Sequence, residues 1–124
     1  MSKKAGQHAQ QWAQHLASNN EFQHSNNKEY GENIASHWDS SGKQMSGREV
    51  ADMWYKECSN YDYSKGDYIR GTGHFTQMVW KNSRKVGIGT AVAKDGKMIV
   101  VANYKPPGNI IGEFKDNVLP PKKK

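Results

Sequence analysis

The feature that most constrains the fold of this chain is a β-hairpin pattern in its second half. Residues 86–93 alternate between bulky and small side chains, the period of a β-strand with one bulky and one small face. Asp95-Gly96 follows as a two-residue turn signal, and residues 98–104 are predicted to be the returning strand. Because an isolated hairpin is rarely stable, we expect Ile34 and its neighbours to supply a third strand.

Three helices are predicted ahead of the hairpin. Apolar residues fall on one helical face between residues 4 and 18. Ser46 and Glu49 form a capping box that opens a second helix, which is expected to end near Cys58. A short third helix is predicted over residues 73–80. Helices followed by a hairpin indicate an α+β fold, with helices packed on a small antiparallel sheet, and we expect the residues after the hairpin to be irregular.

The positive charge of the chain is concentrated in its second half. Residues 1–62 carry six Lys/Arg against eight Asp/Glu, whereas residues 63–124 carry twelve against four. This gradient suits an anionic partner, and Lys81, Arg84 and Lys85 are the candidate contacts to an anionic phospholipid surface. The alternative is an ordinary solvated surface. Nucleic acid is not an expected partner, because no recognisable nucleic-acid-binding motif accompanies the charge.

Cys58 is the only cysteine, so no intramolecular disulfide can form. Domains of this size that are secreted often depend on such bridges, so the cysteine count favours a reducing compartment. No apolar stretch approaches the roughly 20 residues of a membrane-spanning helix.

Four ionisable side chains lie beside residues expected to be buried or tightly placed: His24, Glu32, Glu57 and His74. Two imidazoles and two carboxylates in one cleft could bind a divalent metal with an open coordination position. They could also exchange protons as general acids and bases. Spacing alone does not bring them together, since no HExxH-like motif is present. The alternative is that each serves ordinary backbone hydrogen bonds.

Four segments resemble a known family. Residues 73–83, GHFTQMVWKNS, resemble the first signature of the CAP superfamily, which includes cysteine-rich secretory proteins, antigen five and pathogenesis-related proteins. Residues 100–110, VVANYKPPGNI, resemble the second signature, with Ala102 where secreted members have cysteine. Residues 31–33 and 54–57 match two further family segments, and all four stand in the family's order.

The resemblance implies an α–β–α sandwich with a central cleft. It implies one CAP domain over residues 1–121, which lacks the family's first helix, and a basic tail over residues 122–124. The loss of that helix would expose an apolar face, so we expect a homodimer, with a rearranged packing of the domain as the alternative. The cleft tetrad of the family falls on His24, Glu32, Glu57 and His74, with the two histidines able to hold a zinc ion. Zinc is therefore a possible cofactor, though not an obligatory one.

The absence of disulfides, Ala102 and the ending of the chain resemble the non-secreted, Golgi-associated branch of the family. That branch binds anionic lipids on the cytosolic face of membranes, so the resemblance implies this location for the chain. The alternative is that the chain is secreted. Tyr61, Tyr63 and Tyr68 fit an aromatic spacing that the family associates with caveolin contact and with sterol binding. The alternative is that these tyrosines pack the loop onto the domain.

Two functions follow from these features. The first is a non-catalytic module that binds lipid or membrane surfaces and has a His/Glu cleft able to hold a divalent metal. The alternative is a zinc-dependent hydrolase, in which zinc on His24 and His74 activates water and Glu57 or Glu32 is the general base. Most family members have no agreed activity, and Ser25, which directly follows His24, is poorly placed to be a nucleophile activated by it.

Overall fold

The computed structural model describes residues 3–19, 21–25, 29–38, 47–63, 69, 71–94, 96–110 and 112–118. Their helices and strands, in chain order, are α1 (Lys3–Asn19), β1 (Gly31–His37), α2 (Gly47–Tyr55), a 3₁₀ turn (Lys56–Asn60), α3 (Gly73–Val79), β2 (Lys85–Val92), β3 (Met98–Lys105) and α4 (Phe114–Asn117). The predicted α+β class is confirmed, with a small antiparallel sheet and helices packed on it.

The sheet has the strand order β1-β3-β2, and both strand pairs are antiparallel. The hairpin joins β2 to β3, and the predicted third strand around Ile34 is β1, which pairs with β3 from Gly31↔Tyr104 to His37↔Met98. The central strand β3 is buried along its whole length except at Lys105. Neighbours on both edges and both faces explain why its sequence is an almost continuous apolar run.

The hairpin turn is longer than predicted. The Ala93 N–H donates to the Lys97 carbonyl (2.8 Å), and the Gly96 N–H donates to the Ala93 carbonyl (2.9 Å), so three residues separate the closing pair rather than two. Gly96 has φ +89°, a conformation that glycine adopts without strain and that three-residue hairpin loops require. Asp95 lies outside the described residues.

Helix α1 covers one face of the sheet. Its buried residues are Ala5, Ala9, Ala13 and Leu16, and the last three pack with Ile34, Ile99 and Val101. The close approach depends on the small face of β2. A Cβ on Gly87 would lie 1.9 Å from the Gly6 nitrogen, and a Cβ on Gly89 would lie 2.3 Å from the Gln10 Cα, so only glycine fits at either strand position.

The open edge of β2 is occupied by a side chain of α1. The Gln10 Nε2 donates to the Thr90 carbonyl (2.7 Å), and the Thr90 N–H donates to the Gln10 Oε1 (3.0 Å). The carboxamide thus pairs with the two backbone groups that another strand would use, which is one way in which proteins protect a sheet edge.

The opposite face of the sheet is covered by α2 and α3. Val50 and Trp54 of α2 pack against the sheet residues Ala35, Met98, Val100, Ala102 and Tyr104. A further cluster joins the end of this layer to the C-terminal segment: Tyr61, Phe75, Trp80, Phe114 and Val118. Together with α1 on the other face, these helices give the three-layer sandwich that the resemblance implied.

Two further local predictions were wrong. The second helix is α-helical only to Tyr55 and continues as the 3₁₀ turn Lys56–Asn60, which carries Glu57 toward its hydrogen-bond partners in α3. The segment expected to be irregular contains α4, because Phe114 is fully buried edge-on against Trp80, with ring centroids 5.0 Å apart. Ser46, the proposed N-cap, lies outside the described residues, whereas Glu49 is in the first turn of α2 as predicted.

Candidate functional site: a His/Glu cleft

The four ionisable residues singled out in the sequence line one cavity of about 350 Å³. They come from four separate elements: His24 precedes β1, Glu32 lies in β1, Glu57 lies in the 3₁₀ turn and His74 is the second residue of α3. Asn33, Gly71, Gly73 and Asn109 complete the lining. The side chains whose convergence the spacing could not establish therefore share one cleft.

His74 is held by a carboxylate and by an aromatic ring. Its Nδ1 donates to Glu57 Oε2 (2.8 Å), and the second carboxylate oxygen of Glu57 accepts the backbone N–H of Phe75 (3.0 Å). The Trp54 ring stacks on the imidazole with centroids 5.6 Å apart and planes 5° from parallel. Because Trp54 is itself buried, these contacts fix both the plane and the rotation of the His74 ring.

Glu32 accepts four hydrogen bonds, two on each oxygen. Oε1 accepts from His24 Nδ1 (3.0 Å) and from the Ser25 N–H (2.8 Å), and Oε2 accepts from Ser25 Oγ (2.8 Å) and Asn103 Nδ2 (3.2 Å). Burial raises the pKa of Glu32, but these donors outweigh burial and lower its pKa below the ordinary value. The hydrogen bond to Glu32 in turn raises the pKa of His24.

The two histidines are bound in the same manner. Each commits Nδ1 to a glutamate, and in the described part of the chain neither Nε2 has a hydrogen-bond partner. A carboxylate behind the imidazole is the usual arrangement around a metal-ligating histidine. His24 and His74 therefore have the carboxylate support that metal-ligating histidines use. No described group of three or more His, Cys, Asp or Glu is placed to hold a metal ion.

The two glutamates differ in the number of hydrogen-bond acceptor positions that remain unused. A carboxylate has about four acceptor positions. Glu32 uses four, whereas Glu57 uses two among the described residues. Of the two candidate bases, Glu57 is therefore the one that can take a proton without first losing a structural hydrogen bond.

Two asparagines that frame the cleft were missed in the sequence. Asn33 Nδ2 donates to the His74 carbonyl (3.1 Å). Asn109, at φ 55°, donates to the Gly73 carbonyl (2.9 Å) and accepts from Thr76 Oγ (2.6 Å). These bonds hold the first turn of α3, from which His74 projects. Asn33 gave no distinct signal in the sequence, because its strand also contains the polar residues Glu32, Ser36 and His37.

The predicted contacts to an anionic surface lie together where α3 connects to β2. Lys81, Arg84 and Lys85 are all exposed, and none forms an ion pair among the described residues. Lys81 and Arg84 border a cavity of about 340 Å³ that Glu113 and Asp116 also line. The two carboxylates reduce the positive electrostatic potential around the two cations.

The tyrosines of the aromatic pattern are packed into the domain where the structure describes them. Tyr61 is 6% exposed and lies 5.0 Å from the Tyr63 ring and 5.9 Å from the Phe75 ring. Burial raises the pKa of the half-buried Tyr63. Tyr68 lies outside the described residues. Tyr61 and Tyr63 therefore follow the packing alternative, and lipid or caveolin contact by this loop stays a prediction.

The fold, the two signatures and the cleft together define a class of protein. The sequence profile of the CAP family, described as the cysteine-rich secretory protein family, matches residues 1–104, and the chain belongs to this family. It is 46% identical to the human Golgi-associated plant pathogenesis-related protein 1 over 99% of this chain and 80% of that protein. It is 36% identical to a PR-1 type pathogenesis-related protein of Sambucus nigra, over 85% of this chain but only 62% of that one.

Solved structures agree with this assignment. The structure of BmVAL-1 matches with a TM-score of 0.75 at 27% identity, over 89% of this chain and 59% of that one. A venom allergen-like protein of Schistosoma mansoni matches with a TM-score of 0.62 at 23% identity, over 86% of this chain and 66% of that one, which concerns the fold alone. None of the helices in the described ranges is long and apolar enough to cross a bilayer.

Proposed function

We propose that this chain is a non-catalytic CAP module that binds anionic membrane surfaces and has a cleft able to hold a divalent metal. The observation that carries the membrane part is the group of three exposed cations at the start of β2, none paired with an acid among the described residues. The name of the human relative supports a Golgi-type membrane. The single cysteine favours its cytosolic face, and a secreted location is the alternative.

The expected strength of membrane binding follows from the electrostatic attraction between the exposed cations and the anionic bilayer. Each Lys or Arg near an anionic bilayer contributes about 1 kcal/mol, and this attraction falls off within about 10 Å at 0.1 M salt. Lys105, the Cα partner of Lys85, adds little, because its Nζ is 2.7 Å from a carboxylate oxygen of Glu29. Contact by Tyr61 and Tyr63 is not part of the proposal, since both are packed into the domain.

Co-sedimentation with liposomes tests the membrane part. Vesicles of phosphatidylcholine alone and with phosphatidylserine are compared across a salt series, using the wild type and the triple variant Lys81→Ala, Arg84→Ala, Lys85→Ala. The matched control removes three exposed lysines elsewhere: Lys3→Ala, Lys56→Ala and Lys94→Ala. We expect salt-sensitive binding to anionic vesicles that the first triple variant weakens more than the control. Equal binding to neutral and anionic vesicles would contradict the proposal.

The cleft part is supported by the two His–Glu pairs. When bound, zinc supplies a Lewis acid that lowers the pKa of a coordinated water. Holding it requires a neutral His24, so the affinity falls as the pH falls, and the hydrogen bond that raises the pKa of His24 moves this fall to a higher pH. Calorimetric titration with zinc is expected to show weaker binding at pH 5.5 than at pH 7.5, and loss of binding in His74→Ala. Affinity that is unchanged by this substitution would exclude the site.

The alternative, a zinc-dependent hydrolase, is favoured by the unused acceptor positions of Glu57. In that function Glu57 would accept the proton of the attacking water, and Glu32 would only orient His24. A panel of ester and peptide substrates is assayed with zinc present. Turnover that falls about 10²–10⁴-fold in Glu57→Gln would establish the alternative, whereas the non-catalytic proposal expects no turnover.

A further inference from the structure

A series of partly buried hydrogen bonds connects the cleft, through the sheet, to α1. Glu32 of β1 and Asn103 of β3 are Cα partners in the sheet, and Asn103 Nδ2 donates to Glu32 Oε2 (3.2 Å). The other atom of the Asn103 amide, Oδ1, contacts Nδ1 of His8 on α1. Asn103 is fully buried, so its amide depends on these neighbours for hydrogen bonds.

The positions of the protons in these hydrogen bonds follow from which atoms can donate and which can only accept. Ionised Glu32 can only accept, so Asn103 must turn its NH₂ group toward the carboxylate. Its carbonyl oxygen then faces His8, and this oxygen can also only accept. The Nδ1 atom of His8 must therefore carry a proton, whether the ring is neutral or charged. With Nδ1 unprotonated, two acceptors would face each other at a buried site.

We infer that His8 is a positioning residue of the cleft, whose Nδ1–H fixes the Asn103 amide so that it donates to Glu32 and holds the carboxylate behind His24. The inference deepens the proposed metal cleft, and only its affinity measurement rests on that proposal. His8 lies outside the cleft lining, so its effect passes through Asn103 and Glu32.

The position of the His8 ring is supported by its other neighbours. The Tyr30 ring lies 5.1 Å away, tilted by 36°. Nearby Glu29 pairs with Lys105 (2.7 Å) and Lys4 (3.7 Å) and also interacts electrostatically with His8. An apolar ring at position 8 could therefore keep the packing against Tyr30, but it could not supply the hydrogen that Asn103 accepts.

Two substitutions separate packing from donation. His8→Phe keeps an aromatic ring beside Tyr30 and removes the donor. His8→Asn places an N–H at the same distance from Cβ as Nδ1 and restores the donor. His15→Phe is the matched control, because His15 lies on the same helix but stacks on Trp12 at the surface.

The experiment combines two measurements. Nitrogen-15 NMR of the wild-type histidines at pH 8 is expected to show the Nδ1–H tautomer for His8, and a spectrum with the proton on Nε2 would overturn the inference. Zinc titration is expected to show about a threefold to tenfold loss of affinity in His8→Phe, smaller than the 10–100-fold effect of groups that touch a ligand directly. Affinity near the wild-type value is expected in His8→Asn and His15→Phe.

The outcomes distinguish this inference from the proposed function. If the wild type binds no zinc, the metal cleft fails, while the tautomer measurement still decides the role of His8. If His8→Phe binds zinc as the wild type does, or if His8→Asn loses as much affinity as His8→Phe, the positioning role is wrong. If His8→Phe does not fold, the wild-type tautomer alone decides the question.

Discussion

At the scale of single residues, the two glutamates of the cleft have the same side chain but different chemistry. Glu32 is saturated by donors from Ser25, His24 and Asn103, whereas Glu57 has two donors among the described residues. The two carboxylates differ in the number of hydrogen-bond donors around them. At Glu32 these donors lower the pKa although burial raises it. Glu32 is therefore a fixed anion that orients other groups, and Glu57 is the group with room to react.

The His24–Glu32 pair predicts a pH dependence of stability. The lowered pKa of Glu32 gives a contribution that is present above its ordinary value of 4.5 and is lost as the pH falls through the folded value. The raised pKa of His24 gives a contribution that is present below 6.5 and is lost as the pH rises through the folded value. Together they stabilise the fold most between these two values.

Urea unfolding at pH 3, 5.5 and 8.5 checks this prediction. Glu32→Gln is expected to destabilise the protein most at pH 5.5 and less on either side, because the lost interaction is strongest there. Glu113→Gln, at an exposed carboxylate, is the control. A loss in Glu32→Gln that is equal at all three pH values would contradict the ionic nature of the pair.

At the scale of elements, the contact between α1 and β2 predicts a sharp contrast between two glycines. In Gly87→Ala the new Cβ would lie 1.9 Å from the Gly6 nitrogen, so strand and helix would have to separate. A loss of about 3 kcal/mol in unfolding free energy is expected. In Gly6→Ala the nearest atom is 3.9 Å away, and alanine gains up to about 1 kcal/mol over glycine in a helix. Chemical denaturation of both variants checks the contrast, and equal losses would contradict it.

The elements that could be predicted are those whose pattern is local. The period of apolar residues placed α1, alternation placed β2, and the turn signal placed β3 as the returning strand, as the structure confirms. The 3₁₀ turn after Tyr55 and the one-turn α4 were not predictable, because each depends on a distant partner. The turn is held where Glu57 meets α3, and α4 forms where Phe114 is buried against Trp80.

The cleft was predictable only in part, for a related reason. The four ionisable residues were singled out by their sequence neighbours and grouped as a tetrad by the resemblance, but their hydrogen-bond partners were not predicted. Asn103 reaches Glu32 only through the pairing of β1 with β3, and His8 reaches Asn103 only through the packing of α1 on the sheet. Strand register and helix placement between segments this far apart are not contained in a local pattern.

At the scale of the whole molecule, the expected homodimer has a defined candidate surface. Both faces of the sheet carry helices, but Met53 and Tyr55 of α2 are 41% and 50% exposed. Gln10 occupies the open edge of β2, so association is expected through α2 and not by strand addition at β2. Sedimentation velocity of the wild type is expected to show a dimer that Met53→Glu with Tyr55→Glu dissociates. A monomer at every concentration tested would contradict this prediction.

Because the cleft is assembled from the segment before β1, the strand β1, the 3₁₀ turn, α3 and the segment after β3, it exists only when the sheet and the helical layer that contains α3 have come together. A compound that binds there and not to the unfolded chain must raise the unfolding free energy of the entire domain, by about 2.7 kcal/mol at a hundred times its Kd. Thermal melting in the presence of metals, lipid headgroups and sterols thus becomes a label-free screen, in which a rise in Tm identifies compounds that bind the folded domain and requires no assay of a reaction.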